Sequence, residues 1–257
     1  MSTHDMLQIW TILGPMVLYW ILGGMFYLFD RLGWFLSYKN KSEWKTRHKN
    51  NVSMLSVIKM VLFQQLIQCV ISTYFNMVLI VQPTLNDYGN SDIVDSYYSF
   101  SMNAIVNCLK IIFGLLLVDT YQYWVHWYMH VNSWLYLKIH CVHHRLVIPY
   151  AIGALYNHPL EGLLMDIVGT GAVILLFQMN VYTQLIFTCI LTSKTIFDHS
   201  GYRIPVLDYI FSNNSAYHFI HHELTRIKFN LQQPCFIFWD RWRGTQWIET
   251  KDKQESK

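Results

Sequence analysis

The sequence predicts an all-α protein, an integral membrane helical bundle with a cytosolic helical cap that holds a histidine-rich di-metal site. Two observations favour this fold class. The first is composition, because 53% of the 257 residues are hydrophobic and only 14% are charged, whereas soluble domains have about 25% charged residues. The second is a set of three closely spaced histidine clusters between residues 126 and 222.

The first predicted membrane span covers residues 6–29, which contain no charged residue and exceed the ~20 residues needed to cross the hydrocarbon core. Asp5 precedes this run and no small-residue cleavage pattern follows it, so we expect a permanent span rather than a signal peptide. A short basic segment follows at residues 30–51, and such flanks stay in the cytoplasm. The amino terminus is therefore expected in the lumen.

Two further spans are predicted at residues 54–81 and 100–118. The first of them contains Lys59 and three glutamines, whose polarity favours packing against protein rather than lipid. The connecting residues 82–98 hold three aspartates and no Lys or Arg, as a lumenal loop would. We expect the third helix to continue past its apolar run, so that His126 and His130 emerge at its cytosolic end.

A hairpin is predicted at residues 163–178 and 181–197, two shorter apolar runs that enter and leave the membrane by the same face. All the histidine clusters then lie on the cytosolic side. The sequence has no internal repeat and no Gly/Ser linker, which predicts one membrane-embedded domain over residues 1–257. The polar tail, residues 249–257, is expected to be disordered.

The three clusters are His126-x-x-x-His130, His140-x-x-His143-His144 and His218-x-x-His221-His222. Residues three and four apart share one face of a helix, so each cluster can direct its imidazoles to a common point. Neutral imidazole binds iron, zinc, copper and nickel. Zinc hydrolysis would favour a His-Glu-x-x-His string, which the sequence lacks, and we therefore favour redox iron.

Two lone histidines, His158 and His199, are predicted as further ligands, although a lone histidine is more often a structural hydrogen-bonding group. Asp119 and Gln122 lie close to whole turns from His126 on the same helix face, so we expect Asp119, with Gln122, to hold the outer nitrogen of a bound imidazole. The alternative is that Asp119 only marks the end of the span. Weaker candidates for this role, on adjacency alone, are Asp198, Glu161 and Glu223.

Several other classes of function are not supported. The net charge of +3 is too diffuse to indicate nucleic-acid binding, and no nucleic-acid motif is present. Five scattered cysteines predict no disulfide framework. The sequence has no Gly-x-Gly-x-x-Gly dinucleotide motif, so any electrons for a redox reaction are expected from an external donor.

The histidine clusters and their spacing resemble the fatty acid hydroxylase superfamily of integral-membrane di-iron enzymes, which includes sterol desaturases and oxidases. Four longer stretches are similar to sphingoid-base C4-hydroxylases: residues 119–126, 140–151, 153–162 and 214–222. The closing stretch, residues 239–245, also resembles that family. The likeness covers about residues 119–245, and these long strings are more specific than the histidine spacing.

The resemblance implies that the histidines are iron ligands: His126, His130, His140, His143, His144, His218, His221 and His222, followed by His158 and His199. It implies two Fe ions, O2 as co-substrate and no catalytic residue beyond the metal ligands. The expected substrate is sphinganine or dihydroceramide, hydroxylated at C4. The expected partners are cytochrome b5 and its NAD(P)H-dependent reductase, in a multi-pass protein of the endoplasmic reticulum membrane whose site faces the cytosol.

Two alternatives remain open from the sequence. The runner-up is a sterol-directed oxidase or desaturase of the same superfamily, because the histidine clusters alone do not separate hydroxylation from desaturation. A membrane metal transporter or metal-binding scaffold belongs to a different class. A transporter should place its ligands near the middle of the membrane, whereas these histidines gather at one end of the predicted spans.

Overall fold

The structure is a computed structural model that describes residues 3–40, 49–78 and 93–248. Within these ranges the secondary structure is helical apart from one isolated β-bridge between Lys39 and Tyr202. The all-α prediction is confirmed. The predicted tail at 249–257, the end of the second predicted span and most of the predicted lumenal loop lie outside the described residues.

Three long helices come first in the chain. They are α1 (Thr3–Leu32), α2 (Met54–Val78) and α3 (Ile93–Val131). Each contains one of the first three predicted apolar runs, as far as the described residues reach. By length and composition, Met6–Leu32, Met54–Phe75 and Met102–Val131 could cross a membrane. Large apolar side chains are exposed along all three helices, as expected for surfaces that face lipid.

Helix α3 continues well beyond the predicted span and carries His126 and His130 in its last two turns. A short helix, α4 (Ser133–Lys138), follows, and the Asn132 side chain caps it by accepting a hydrogen bond from the Leu135 amide. The second histidine cluster lies in the next element, a 3-10 helix over His140–Arg145. The chain therefore turns back at the end of α3 and brings two clusters together.

The predicted hairpin has a first arm of three consecutive helical pieces. They are α5 (Pro159–Gly162), a π-helix (Leu163–Val168) and α6 (Gly169–Leu176). Together they form a fourth helix, Pro159–Leu176, that is long and apolar enough to span. The second arm, α7 (Val181–His199), begins where Asn180 accepts a hydrogen bond from the Thr183 amide. Glu161 and His199, at the outer ends of the two arms, both lie beside the clustered histidines.

Two groups of buried apolar side chains hold the bundle together. One joins α1, α2 and α7 with the segment after the second cluster, and the Tyr19 hydroxyl donates a hydrogen bond of 2.7 Å to the Ile152 carbonyl within it. The other joins α3, α6 and α7 around the fully buried Phe187. Three short helices complete the cap: α8 (Pro205–Ile210), α9 (Ser215–His222) and α10 (Phe238–Arg243).

The contact between α3 and the hairpin depends on a glycine. A Cβ atom at Gly169 would lie 2.5 Å from Cδ1 of the Tyr121 ring. We therefore expect Gly169→Ala to destabilise the protein by ~1–3 kcal/mol through overpacking. The control is Gly171→Ala, where a Cβ atom would meet nothing within 4 Å. Thermal unfolding in detergent measures both, and equal midpoints for the two variants would contradict this packing.

Candidate metal centre

Nine of the ten predicted histidine ligands come together in two buried groups. The first group is His126, His130, His140, His144 and His221, and the second group is His143, His199, His218 and His222. Within each group, the nitrogen atoms that could bind a metal all lie within 4.8 Å of one another. The groups are adjacent, because the ring centroids of His144 and His222 are 5.0 Å apart.

The two His-x-x-His-His clusters each contribute to both groups. In the second cluster, His140 and His144 belong to the first group and His143 to the second group. The third cluster does the reverse, since its first and last histidines join the second group whereas His221 joins the first group. Positions i and i+4 of a cluster thus face one metal position, and position i+3 faces the other.

Local sequence explains where the third cluster sits. It occupies α9, a helix of only two turns, and Asn214 caps it by accepting hydrogen bonds from the Ala216 and Tyr217 amides at 3.1 Å. Asparagine is a preferred N-cap residue because its side chain satisfies amides that have no partner within the helix. His199 comes from the last residue of α7, so the chain supplies the second group from three separate elements.

The outer nitrogen of most of these rings is held by an acceptor. The Nδ1 atoms of five histidines face backbone carbonyls at 2.6 to 2.9 Å: His126 with Leu231, His143 with Tyr156, His199 with Thr195, His221 with Phe229 and His222 with Leu146. A carbonyl can only accept, so Nδ1 carries the proton in each neutral ring. The lone pair is therefore on Nε2, directed into the group.

These lone pairs face one another at short range. His126 Nε2 and His140 Nε2 are 3.0 Å apart, although both rings donate through Nδ1. In the second group, His143 Nε2 and His199 Nε2 are 3.5 Å apart with the same assignment. Two acceptors cannot hydrogen-bond to each other. A cation between them would turn this repulsion into attraction, and a metal ion is the cation that neutral imidazoles select.

The spacing also bears on which metal fits. Nitrogen ligands ~2.1 Å from a metal lie ~3.0 Å apart when they meet at right angles and ~3.4 Å apart in a tetrahedron. Neighbouring Nε2 atoms are 3.0 to 3.1 Å apart for His126, His130, His140 and His144. His221 Nε2 is buried without a hydrogen-bond partner among the described residues and supplies a fifth donor. Five donors at such angles do not match the four-coordinate tetrahedral arrangement of a structural zinc site.

Burial keeps the imidazoles of the cap neutral. It lowers the pKa of His140 to about 3, and it also lowers the pKa of His143. The pKa values of His144, His218, His221 and His222 are well below the ordinary value for the same reason, with further lowering by neighbouring imidazoles. Protons therefore do not compete for these nitrogen atoms at neutral pH.

Glu161 holds the outer nitrogen of His140. The sequence suggested this role for Glu161 only because the residue lies near a predicted ligand in the chain. Its Oε1 atom accepts a hydrogen bond of 2.8 Å from His140 Nδ1. The carboxylate is buried and lies in α5, whose first residue is Pro159, and proline is favoured in that position. Sequence reasoning missed a second neighbour, Tyr136, whose ring centroid lies 5.5 Å from that of His130.

The hydrogen bonds of Asp119 and Gln122 go to partners other than the histidines. Asp119 lies two turns before His126, ~10 Å along the helix axis, which is beyond hydrogen-bond reach of that ring. Its carboxylate instead accepts from the Cys235 and Phe236 amides, at 2.7 and 3.0 Å, and from the Gln232 side chain. It thereby fixes the loop whose Leu231 carbonyl accepts from His126. Gln122 donates to the Met165 carbonyl and joins α3 to the π-helix.

Three further predicted residues have other partners. His158 lies outside both histidine groups and caps α5, where its Nδ1 atom accepts a hydrogen bond of 3.2 Å from the Leu160 amide. Asp198 pairs with Lys194 at 2.5 Å, and both side chains are buried. Glu223 pairs with Arg226 at 2.7 Å.

Comparison with known proteins gives one matching family and several similar relatives. A family model for fatty acid hydroxylases matches residues 111–245. Sphinganine C4-monooxygenase 1 of Arabidopsis thaliana is 40% identical over 94% of this chain and 88% of its own. A very-long-chain aldehyde decarbonylase of Oryza sativa is 38% identical over 90% of this chain and 85% of its own. The sphingolipid C4-hydroxylase of Saccharomyces cerevisiae is 35% identical over 89% of this chain and 69% of its own. No solved structure matches the chain.

The grouping predicts how metal content responds to single substitutions. His221→Ala removes one of five donors from the first group, so we expect the purified protein to fall from two metal ions per chain towards one. His158→Ala should retain both ions, because that ring lies outside both groups. Metal analysis of protein purified after growth with iron measures the ratio. Equal losses in the two variants would contradict the grouping.

Glu161 allows a graded test of the support for His140. Glu161→Gln keeps an oxygen that can accept from Nδ1, whereas Glu161→Leu removes the acceptor from a buried position. Loss of such an outer hydrogen bond typically weakens metal binding by 10 to 100-fold. We expect affinity to fall in the order wild type, Glu161→Gln, Glu161→Leu, as measured by competition with a chelator. The prediction fails if all three proteins hold metal equally tightly.

Proposed function

The chain belongs to the fatty acid hydroxylase family, and from that premise we propose that it is a sphingolipid C4-hydroxylase. It would insert one oxygen atom at C4 of sphinganine, or of the dihydroceramide that carries it, to give a 4-hydroxylated base. The observation that carries the proposal is the convergence of nine buried histidines into two groups, in a chain similar over most of its length to relatives named for this reaction.

The two histidine groups are proposed to hold two iron ions. Iron there would supply the activation of O2, one oxygen atom entering the C–H bond and the other leaving as water with two electrons and two protons. The residues of the chain position and shield this chemistry. Carbonyl groups and Glu161 orient the imidazoles, and all nine rings are buried, so bulk water is excluded from the centre.

The electrons are proposed to come from cytochrome b5 and its NAD(P)H-dependent reductase. The sequence has no dinucleotide motif of its own. Exposed basic side chains surround the cap, among them Lys138, Arg145, Lys228, Arg241 and Arg243. A basic surface would attract an acidic electron carrier and orient it near the metal centre.

We propose that the protein lies in the endoplasmic reticulum membrane, with its metal centre on the cytosolic side. Two features support this orientation. The segment after the first span is rich in Lys and Arg, and such segments stay in the cytoplasm. The histidines lie at the end of α3 and at the outer ends of the hairpin arms, together rather than on opposite sides of the bundle.

A second candidate is decarbonylation of a very-long-chain aldehyde, because the similar protein of Oryza sativa bears that name. The plant and yeast relatives named for C4 hydroxylation favour the first candidate. A sterol-directed reaction is the remaining candidate within the family. The three differ in product, so one lipid analysis separates them.

The test is expression in cells that make no 4-hydroxylated sphingoid bases. We expect wild type to produce 4-hydroxysphinganine, and isotope-labelled O2 should add one labelled oxygen atom, measured by mass spectrometry. His143→Ala should reduce the product by at least 100-fold, because it removes one of four donors from the second group. Asp208→Asn is the control, since Asp208 pairs with Arg203 at the surface. Altered sterols or consumed aldehyde without a 4-hydroxylated base would reject the proposal.

A further inference from the structure

A polar cleft runs inside the bundle, separate from the histidine groups. Two cavities share five lining residues, which are Pro15, Gln68, Asp166, Thr170 and Thr188. The two cavities therefore adjoin each other between α1, α2, the first hairpin arm and α7, and together they make up the cleft. This cleft is unusual for a membrane bundle, since amides, hydroxyls and a carboxylate line it.

One end of the cleft lies near the histidine groups. Gln122 and Thr195 line it there, and each lies one helical turn before a histidine, ~6 Å along the axis. Gln122 precedes His126 of the first group. Thr195 precedes His199 of the second group, and its carbonyl accepts from His199 Nδ1 at 2.8 Å. A molecule in the cleft is thus brought to the edge of both groups. The other end is lined by apolar residues such as Phe75 and Leu175.

Asp166 is the only charged side chain among the described residues that line the cleft. The Asn157 side chain lies near its carboxylate, and Glu161 is close enough to repel it. No Lys or Arg of the described residues forms an ion pair with it. A carboxylate in a membrane span without a countercharge is costly and marks a functional site. A cationic ligand would supply the missing countercharge and would offset the repulsion from Glu161.

A second unmatched group lies in the same cleft. Gln65 is buried, and its Oε1 atom accepts from the Trp20 indole at 2.8 Å. Its Nε2 atom has no hydrogen-bond partner among the described residues. A buried donor without an acceptor costs about 1–3 kcal/mol. The cleft therefore contains a carboxylate, that of Asp166, without a cationic partner and an amide donor, Gln65 Nε2, without an acceptor.

We propose that this cleft binds the head group of a free long-chain amino alcohol, with Asp166 taking its ammonium group and Gln65 donating to a hydroxyl oxygen. This inference rests on the proposed function and specifies the substrate as the free base rather than its N-acylated form. Acylation replaces the ammonium by a neutral amide, which would leave the charge of Asp166 unmatched. The carbon to be hydroxylated is two carbons from the amine-bearing carbon, so anchoring the head group beside the metal centre also positions C4.

The test measures binding as well as turnover. Metal-loaded wild type in detergent, without an electron donor, is titrated with radiolabelled sphinganine and with N-acetylsphinganine, which differ only at the nitrogen. We expect the free base to bind at least tenfold more tightly. Asp166→Asn should remove that preference, and Asp166→Glu should restore part of it. In the iron-loaded enzyme, Asp166→Asn should raise KM for sphinganine at least tenfold with little change in kcat. The control is Asp208→Asn.

The outcomes separate the two proposals. Equal binding of the two lipids by wild type overturns the assignment of Asp166, and this arm needs no variant to fold. An Asp166→Asn protein that retains its metal and the wild-type preference overturns it as well. If wild type prefers the free base but never forms a 4-hydroxylated product, the cleft assignment stands and the proposed reaction fails.

Discussion

The structure depends on an electrostatic constraint at its centre. His126 and His140 both donate outward through Nδ1, so their Nε2 lone pairs face each other 3.0 Å apart. Lone pairs that face each other in this way repel unless a cation lies between them, and burial lowers the pKa of the cap imidazoles His140 and His143. The fold therefore assembles a site that a cation would stabilise, and a bound metal ion would add to the stability of the folded chain.

Other residues of the cap orient the histidine rings. The Asp240 carboxylate is buried and accepts from the Leu231 and Gln232 amides at 2.9 Å and from the Tyr217 hydroxyl at 2.8 Å. Asp119 fixes the same loop from the side of α3. The loop can then present the Leu231 carbonyl to a ligand from α3. Residues far from the metal positions thus control tautomer and orientation, because a ring whose outer nitrogen is held cannot rotate away.

The sequence allowed the all-α bundle to be predicted, because long apolar runs and cluster spacing are local signals. It also singled out His199, which has no neighbouring histidine in the sequence. It could not show that each His-x-x-His-His cluster divides between the two groups, because that depends on how separate elements cross. The backbone carbonyls that accept from the imidazoles could not be predicted either, because any residue type can supply a carbonyl. Asp119 shared a helix face with His126, but a shared face does not place two residues within hydrogen-bond distance when two turns separate them.

The polar cleft gives a reason for the unusual composition of the helices. Glutamines on α2 and hydroxyls on the hairpin weaken these segments as membrane spans, since polar groups in hydrocarbon are costly. These polar side chains become favourable when they face the shared cleft, one end of which is lined by residues one helical turn before His126 and His199. The exposed outer faces of the same helices are apolar. The bundle therefore combines a lipid-compatible exterior with a polar interior, and an amphipathic lipid can satisfy that interior without leaving the membrane.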